Sequence, residues 1–397
     1  MDDVRPDLSI CIPTYNRGPF LEFLLKDCHK NLGLVKSNIE LVICDNASED
    51  NTSEVIAYWS NILPIRSFRQ KTNVGASGNI NTAYSISSGK YCIYLADDDI
   101  LLWNQIDVSL NLLKNNPEVK VMHAPWWVGD FPKTENGVQW YSLGENQIIG
   151  RHQFDKAIDL ILNHHIFPEI FIFDLDHFKA HLPLGYDNRI SYHFFLLLFQ
   201  WLSVSSVIFS KTPFYHSIMT HPAGYRDQAG ISQVIIAWDE YRGGMELFLA
   251  AIARTNCEGY RRLIDTFVLS RMKVGLRIRV GKGEAPIESY LLARRIQANG
   301  EVLPDNLLQL VRLMACIEYF CTVMFPVSRR SSIGITENVS LDALRILERY
   351  STTGYLLVHE GQVVDDLLIL NLTDHEVTVF GECDVIREQT LLSYFPV

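Results

Sequence analysis

The sequence predicts an α/β protein: a mostly parallel sheet flanked by helices, followed by a mainly helical C-terminal domain that ends in short strands. Three observations carry this reading. Short apolar runs alternate with helical patterns through the first 120 residues, as βαβ units and a buried parallel sheet require. A polar cluster follows three of those runs, at Thr14–Arg17, Asp45–Asp50 and Asp97–Asp99. From about residue 232 to 350 the periodicity is mainly helical.

Leu8–Ile12 reads as the first strand, closed by Pro13, which has no N–H to give a sheet. Pro19–Asn31 places Phe20, Leu21, Leu24, Leu25 and Cys28 at helical spacing. Ile39–Cys44 is a second strand, and Ser53–Trp59 a helix whose N-cap chemistry comes from Asn51 to Ser53. Pro64–Phe68 is a third short strand, Gly78–Ser87 a helix, and Tyr91–Leu95 a fourth strand running into the aspartate triplet. Asn104–Asn115 is helical, Val119–Ala124 extended, and Trp126 opens a loop-like segment reaching about Gly150. Phe154–Leu162 is helical and Ile170–Phe173 apolar.

Ile190–Ser210 has 21 residues without Asp, Glu, Lys or Arg, long enough to span a membrane. His193, Gln200 and five serines, with a β-branched second half, make it a buried helix leading into a buried strand. Beyond it, Val234–Ala253, Tyr260–Val274, Ile287–Ala298, Asn306–Met324 and Leu341–Arg349 read as helices. Tyr355–His359, Leu367–Leu372 and Val377–Phe380 are strand-like. The pattern gives two domains, 1–225 and 226–397.

Composition bounds the function. The 397 residues are 48% apolar and 20% charged with a net charge of −11, which excludes a wholly disordered chain and argues against general nucleic-acid binding. None of the eight cysteines forms a CxxC pair, and three sit inside apolar runs, the habit of buried free thiols. With an acidic N-terminus unlike a signal peptide, this favours a cytoplasmic protein.

The polar clusters carry the chemistry. Three adjacent carboxylates repel one another unless a cation or hydrogen-bond donors offset the charge. An aspartate triplet in a loop is ordinarily solvated surface, but Asp97–Asp99 directly follow the apolar run YCIYLA. Mg²⁺ or Mn²⁺ suits such a site, because a hard cation takes one or two carboxylates and completes its shell with water and substrate phosphate. Asp45–Asp50, alone, is a turn or helix entry; its position after another strand raises it to a second candidate. Asn73–Asn79 is a small-residue turn that lets backbone approach a ligand, though neither a Walker loop nor a GxGxxG fingerprint.

In this order, Ser9–Arg17, Asp45–Asp50, Asn73–Asn79 and Ser88–Asp99 resemble the nucleotide-sugar-binding half of family 2 glycosyltransferases with the GT-A fold, a Rossmann-like sheet flanked by helices. The likeness covers residues 8 to about 125 and extends more faintly to about 220. It implies that Pro13, Thr14, Tyr15 and Arg17 line the nucleotide pocket and that Asp45 accepts the base imide N–H. Asn73, Gly75 and Asn79 then lie beside the nucleotide and Asp97 near the ribose. Asp98 is the metal ligand with Asp99 as its support. Where many members carry an acidic pair at the start of a helix, this chain has Ser191-Tyr192. His193 and Asp187 are then the candidates for the catalytic base, with Glu169 a third. A histidine near this place and an aspartate-triplet metal motif are habits of the abequosyltransferase-like subgroup. His216 and His221 are candidates for a late histidine in the metal shell, and Trp126 and Trp127 for stacking on an acceptor sugar.

The resemblance implies a metal-dependent, inverting transfer of a sugar from a nucleotide-sugar donor to a hydroxyl of a glycan or lipid-linked glycan in surface-polysaccharide synthesis. A sugar nucleotidyltransferase and a catalytically degenerate glycan-binding scaffold are the alternative readings. Residues 254–295 hold ten Arg/Lys against four Asp/Glu. Such a segment is either a peripheral contact with anionic lipid at the inner membrane face or an ordinary solvated face. In Arg271–Val280 the basic residues alternate in a strand-like way. The helical part could also serve a homo-oligomer.

Overall fold

A computed structural model describes residues 5–131, 137–181, 192–224, 229–252, 257–336, 339–372, 379 and 381–395, and among these not the side chains of 229–239, 257–258 and 388. The chain divides into two compact units, Met1–Asp227 with Asp239–Ile264, and Gln228–Trp238 with Asp265–Val397.

The first unit is built on strands β1 (Leu8–Thr14), β2 (Ile39–Asp45), β3 (Ile65–Arg69), β4 (Tyr91–Tyr94), β5 (Ile100–Leu101), β6 (Val119–His123), β7 (Trp126–Gly129), β8 (Val138–Gln139), β9 (Gln147–Ile149), β10 (Phe171–Asp174), β11 (Ser206–Phe209) and β12 (Tyr215–Ile218). Helices α1 (Gly18–Asn31), α2 (Thr52–Trp59), α3 (Gly75–Ile86), α4 (Ile106–Lys114), α5 (Phe154–His164), α6 (Leu175–His181) and α7 (His193–Val204) connect them. The eight-stranded sheet runs β3-β2-β1-β4-β10-β6-β11-β9. β1 and β2 sit inside it with almost every residue buried, which is why both read as unbroken apolar runs. β3 is an edge strand that exposes Arg66 and Arg69, charges that discourage pairing with another chain.

Two features depart from the sequence pattern. β10 enters antiparallel between β4 and β6, with Ile172 opposite Ile93 and Met122. The segment after Trp126, expected as loop, supplies β7, β8 and β9, and a second sheet of order β5-β12-β7-β8. The uncharged stretch around residue 200 forms α7 and β11, buried helix into buried strand. The cap of α2 also differs: the Asn51 side chain makes no cap bond, and the Asp50 carboxylate instead accepts from Thr52 N (3.1 Å) and Gly18 N (2.9 Å).

At the end of the sheet opposite the polar clusters, Glu40 ties three strands. Its carboxylate accepts from Ser9 Oγ on β1 and from the N–H groups of Ser88 (2.7 Å) and Gly89 (3.1 Å) ahead of β4. Gly89 is required there, since a Cβ would lie 2.7 Å from Ser9 N.

The second unit includes the start of α8 (Ala229–Ala251), most of α9 (Cys257–Lys282), then α10 (Pro286–Ala298), α11 (Asp305–Tyr319), α12 (Phe325–Ser328), α13 (Leu341–Tyr350) and α14 (Glu388–Leu392). Its strands β13 (Ser332–Thr336), β14 (Tyr355–Val358), β15 (Leu367–Asn371) and β16 (Cys383–Arg387) form one parallel sheet, β14-β13-β15-β16. Of the strand expected at Val377–Phe380, all but Val379 lies outside the described residues. Arg271–Val280 is helix, not strand. There Lys273 pairs with Glu301 (2.6 Å) and the buried Arg279 with Glu288 (3.1 Å), so part of the basic excess is neutralised locally. Asp305–Ser328 is long and apolar enough to cross a membrane by length and composition, and Val311, Met314, Ala315, Cys316, Ile317 and Phe320 are buried within the unit.

The Glu40 staple sets a pH dependence. Burial raises the Glu40 pKa, but the Ser9 and Ser88 hydrogen bonds and Arg66 outweigh it and hold the group below the usual range. A lowered folded-state pKa means that its contribution is complete above about pH 4.3, the unfolded value, and disappears as pH falls through the folded one. Glu40→Gln is expected to cost about 1–3 kcal/mol at pH 7 in urea denaturation, with the gap to wild type closing below about pH 4.

Candidate active site

The three polar clusters meet at one edge because β1, β2 and β4 are adjacent and parallel and end together. After β1 the chain turns through Asn16 at φ 53° and delivers Arg17 across the sheet. One guanidinium nitrogen, Nη1, lies 3.0 Å from Asp97 Oδ1 and 2.7 Å from Asp98 Oδ2. Pro13 is half-buried, Thr14 buried, and Tyr15 exposed at the mouth.

Asp45 ends β2, almost fully buried. Oδ1 accepts from Ser48 N (2.9 Å) and Oδ2 from Arg69 Nη1 (2.8 Å), which arrives from the register position opposite on β3. The next residue, Asn46, knits the loops together. Its N donates to Thr14 O (2.9 Å), its amide to Asn73 Oδ1 (2.9 Å), and its Oδ1 accepts from Val74 N (2.9 Å). Gly75 then starts α3 at φ +78°, a conformation suited to glycine. Asn73 and Gly75 lie exposed on this turn. Asn79 does not: it is buried, with its amide on Cys44 O (2.7 Å), where it braces the end of β2.

Asp97, Asp98 and Asp99 follow β4, and all three are buried. Asp99 is a structural anchor: Oδ2 accepts from the Tyr215 hydroxyl and Oδ1 from Ile218 N, both at 2.9 Å. The same hydroxyl accepts from Ala96 N (3.2 Å), so β12 of the second sheet is clamped to the end of β4. Burial pushes the Asp97 carboxyl up to about 6; Arg17 opposes this and Asp98 adds to it. Burial also raises the Tyr94 phenol, with Asp98, Asp97, Asp99 and Glu169 contributing. Tyr94 thus lies within the field of four carboxylates. Among the described residues no group of three or more His, Cys, Asp or Glu is arranged to hold a metal ion.

A Glycosyl transferase family 2 model matches residues 9–181, the segment that carries all three strand-end clusters. Residues 9–181 are a family 2 glycosyltransferase domain. Abequosyltransferase RfbV of Salmonella typhimurium is 35% identical over 156 residues, 38% of this chain and 46% of the relative. The UDP-Glc:alpha-D-GlcNAc-diphosphoundecaprenol beta-1,3-glucosyltransferase WfgD of Escherichia coli is 32% identical over 117 residues, 29% of this chain and 44% of the relative. The alignments therefore span less than half of either relative. S. aureus TarS 1-349 in complex with UDP-GlcNAc superposes over 81% of this chain and 87% of its own at 13% identity and a TM-score of 0.47, a likeness too loose to argue from.

Around the family 2 domain's strand ends the remaining candidates fall in different places. His216 follows Tyr215 on β12, opposite Ile100 of β5, and is buried with its Nε2 3.2 Å from Gly129 O. His221 packs between Phe20 and Phe23, ring centroids 4.7 Å away in each case. Trp126 is buried, stacked on Trp140 at 5.9 Å and 11°, so it offers no platform to a sugar. Trp127 is half-buried against Gly129 and Gly137. His193 opens α7 edge-on to Phe194, and Asp187 lies outside the described residues. Glu169 accepts from the Tyr192 hydroxyl at 2.9 Å.

Tyr215 and Arg69 were not read from the sequence. Tyr215 acts across 116 residues with no motif around it; Arg69, a charge ending the short strand β3 opposite Asp45, carried a faint signal. Two outcomes follow. Tyr215→Phe strands Asp99 Oδ2 and Ala96 N and is expected to cost about 1–3 kcal/mol in urea denaturation. Asp97 works in the other direction. Its raised pKa means that the folded state holds the proton more tightly, so stability is lost as pH rises from about 4 through about 6. In EDTA, Asp97→Asn should be more stable than wild type at pH 7, by at most about 3 kcal/mol, with the difference vanishing near pH 4.

Proposed function

We propose that this protein transfers a sugar, by single inverting displacement, from a nucleotide-sugar donor to a hydroxyl of a glycan or lipid-linked glycan, in surface-polysaccharide synthesis. The observation that carries the proposal is the meeting of Arg17, Asp97 and Asp98 at one strand edge of a family 2 domain. The names of two relatives, an abequosyltransferase and a glucosyltransferase acting on a diphosphoundecaprenol-linked sugar, support the reaction class. With a lipid-linked acceptor the protein would work at the cytoplasmic membrane face, and the exposed part of residues 254–295 would meet anionic headgroups.

The residues fit a divalent cation. One guanidinium faces two buried carboxylates, and Asp97 stays raised to about 6 beside it. Buried carboxylates with hard oxygen donors suit Mg²⁺ or Mn²⁺. Asp98 would hold the ion, with Asp97 next to it; Asp99, whose oxygens serve Tyr215 and Ile218, would support them. Such an ion supplies Lewis-acid stabilisation of the departing diphosphate.

This chain's own residues do the rest. Asp45 takes the base imide N–H, sharing Oδ2 with Arg69. Tyr15 and the exposed Asn73–Gly75 turn flank the nucleotide, and Asn46 keeps those loops in one arrangement before the donor arrives. Asp97 meets the ribose, and Arg17 offers its charge to the phosphates. The acceptor proton needs a base within hydrogen-bond reach of the attacking hydroxyl. His193, Asp187 and Glu169 are the candidates from the sequence.

Thermal shift with UDP-, GDP-, CDP- and dTDP-sugars, each with Mn²⁺, tests the reading. One class should stabilise the protein by about 2.7 kcal/mol at a hundredfold excess over its Kd, with slow nucleotide release. Asp98→Ala should lower metal-dependent release about 10²–10³-fold or more while the fold persists. Stabilisation by none of the four classes rejects the proposal.

A further inference from the structure

Glu169 stands apart from the other carboxylates at this edge in what it is bonded to. Asp99 spends both oxygens on Tyr215 and Ile218, Asp45 is held by Ser48 and Arg69, and Asp97 and Asp98 share Arg17. Among the described residues the Glu169 side chain receives one hydrogen bond, from the Tyr192 hydroxyl to Oε1, so Oε2 is uncommitted. The side chain is half-buried, reachable by a substrate.

Topology puts it at the same end of the sheet as the aspartates. β10 runs antiparallel to β4 with Ile172 opposite Ile93, so the residues just ahead of β10, Glu169 among them, lie at the end of the sheet where β4 runs out toward Ala96. Asp97 is next in the chain. The insertion of β10 is what brings this carboxylate to the edge where the parallel strands end. The field of Glu169 at the Tyr94 phenol, shared with Asp97, Asp98 and Asp99, agrees with that placement.

Its orientation is also built. Tyr192 is fixed by its N–H on Glu240 O (2.9 Å) and by its ring edge-on to Tyr241 at 4.7 Å. Glu169 is fixed at the backbone, where its N–H donates to Phe167 O (2.9 Å) around Pro168. A rigid phenol therefore pins one carboxylate oxygen and leaves the other directed elsewhere, as an oriented general base requires.

We infer that Glu169 is the general base of the transfer, positioned by Tyr192; this rests on the glycosyl-transfer reading above. Oε2 takes the proton of the acceptor hydroxyl as that oxygen forms its bond to the anomeric carbon. The bond from that carbon to the diphosphate oxygen breaks, and its electron pair leaves with the nucleoside diphosphate. Glu169 then returns its proton to solvent.

The test uses the full chain, Mn²⁺ and whichever of the UDP-, GDP-, CDP- or dTDP-sugars stabilises it most, with water as acceptor and nucleotide release as readout. Glu169→Gln keeps an oxygen for Tyr192 and so keeps the fold. It should lower kcat about 10²–10³-fold, leaving donor KM and donor-induced stabilisation within about twofold of wild type. Glu169→Asp should retain more rate than Glu169→Gln. Tyr192→Phe should lower kcat about tenfold at unchanged donor KM, as expected of a positioning residue. Glu169→Gln turnover within about threefold of wild type, with donor still bound, overturns the assignment alone, and loss of kcat in His193→Ala or Asp187→Asn would then name the base. Failure of all four donor classes to stabilise wild type overturns the transfer reading and this assignment with it.

Discussion

Burying three consecutive carboxylates at the end of β4 is the constraint around which the first unit is arranged. Unpaired, each buried charge would cost several kcal/mol. The chain meets this with two devices. Asp99 is satisfied by hydrogen bonds from Tyr215 and Ile218, which requires β12, and with it the second sheet, to pass beside the end of β4. Asp97 and Asp98 are satisfied by Arg17, which requires the loop after β1 to cross toward β4 and not toward β2. Satisfying the triplet thus fixes where two distant segments go. Burial, with the neighbouring Asp98 charge, outweighs Arg17 and keeps the Asp97 carboxyl raised to about 6.

The loops around the cluster are coupled by amides. Asn46 bonds to the β1 loop through Thr14 O and to the turn before α3 through Asn73 and Val74. Asn79 closes the same turn onto β2. Neutral side chains suit this work, since they carry several donors and acceptors without adding to the charge already there. At the other end of the sheet Glu40 and the close approach at Gly89 hold the same strands in register, so the ends of β1, β2 and β4 cannot slide.

What the sequence made legible follows this physics. The central strands were readable because strands buried on both faces are nearly continuous apolar runs, and the aspartate triplet because it follows one directly. The direction of β10 was not readable: Phe171–Asp174 is four buried residues, and nothing local says whether such a run pairs parallel or antiparallel. The second sheet was missed because its strands are two to four residues long and its decisive contact joins Tyr215 to Asp99 across the chain. Lys273 and Arg279 misled in another way. Their spacing imitates a strand, but each sits in a helix and faces a different acidic partner, Glu301 and Glu288. Trp126 looked like a sugar platform because stacking chemistry is the same inside a core as at a surface, and only burial tells them apart.

The antiparallel insertion of β10 also bears on why an edge so rich in carboxylates can divide its labour. A sheet with only parallel strands at this place would bring strand C-termini to the site and nothing else. Reversing one strand brings the residues ahead of it, Phe167 to Ile170, to the same edge. Glu169 therefore comes to this end of the sheet from a separate backbone segment, with its own turn and its own tyrosine, and outside the Arg17 pairing that holds Asp97 and Asp98. Carboxylates crowded on one loop compete for the same cation and shift one another's protonation. A carboxylate delivered from a neighbouring strand keeps a distinct partner, as Glu169 does in the Tyr192 hydroxyl. On the proposed reading, the carboxylate assigned to cation binding and the one assigned to proton transfer come from different strands, β4 and β10.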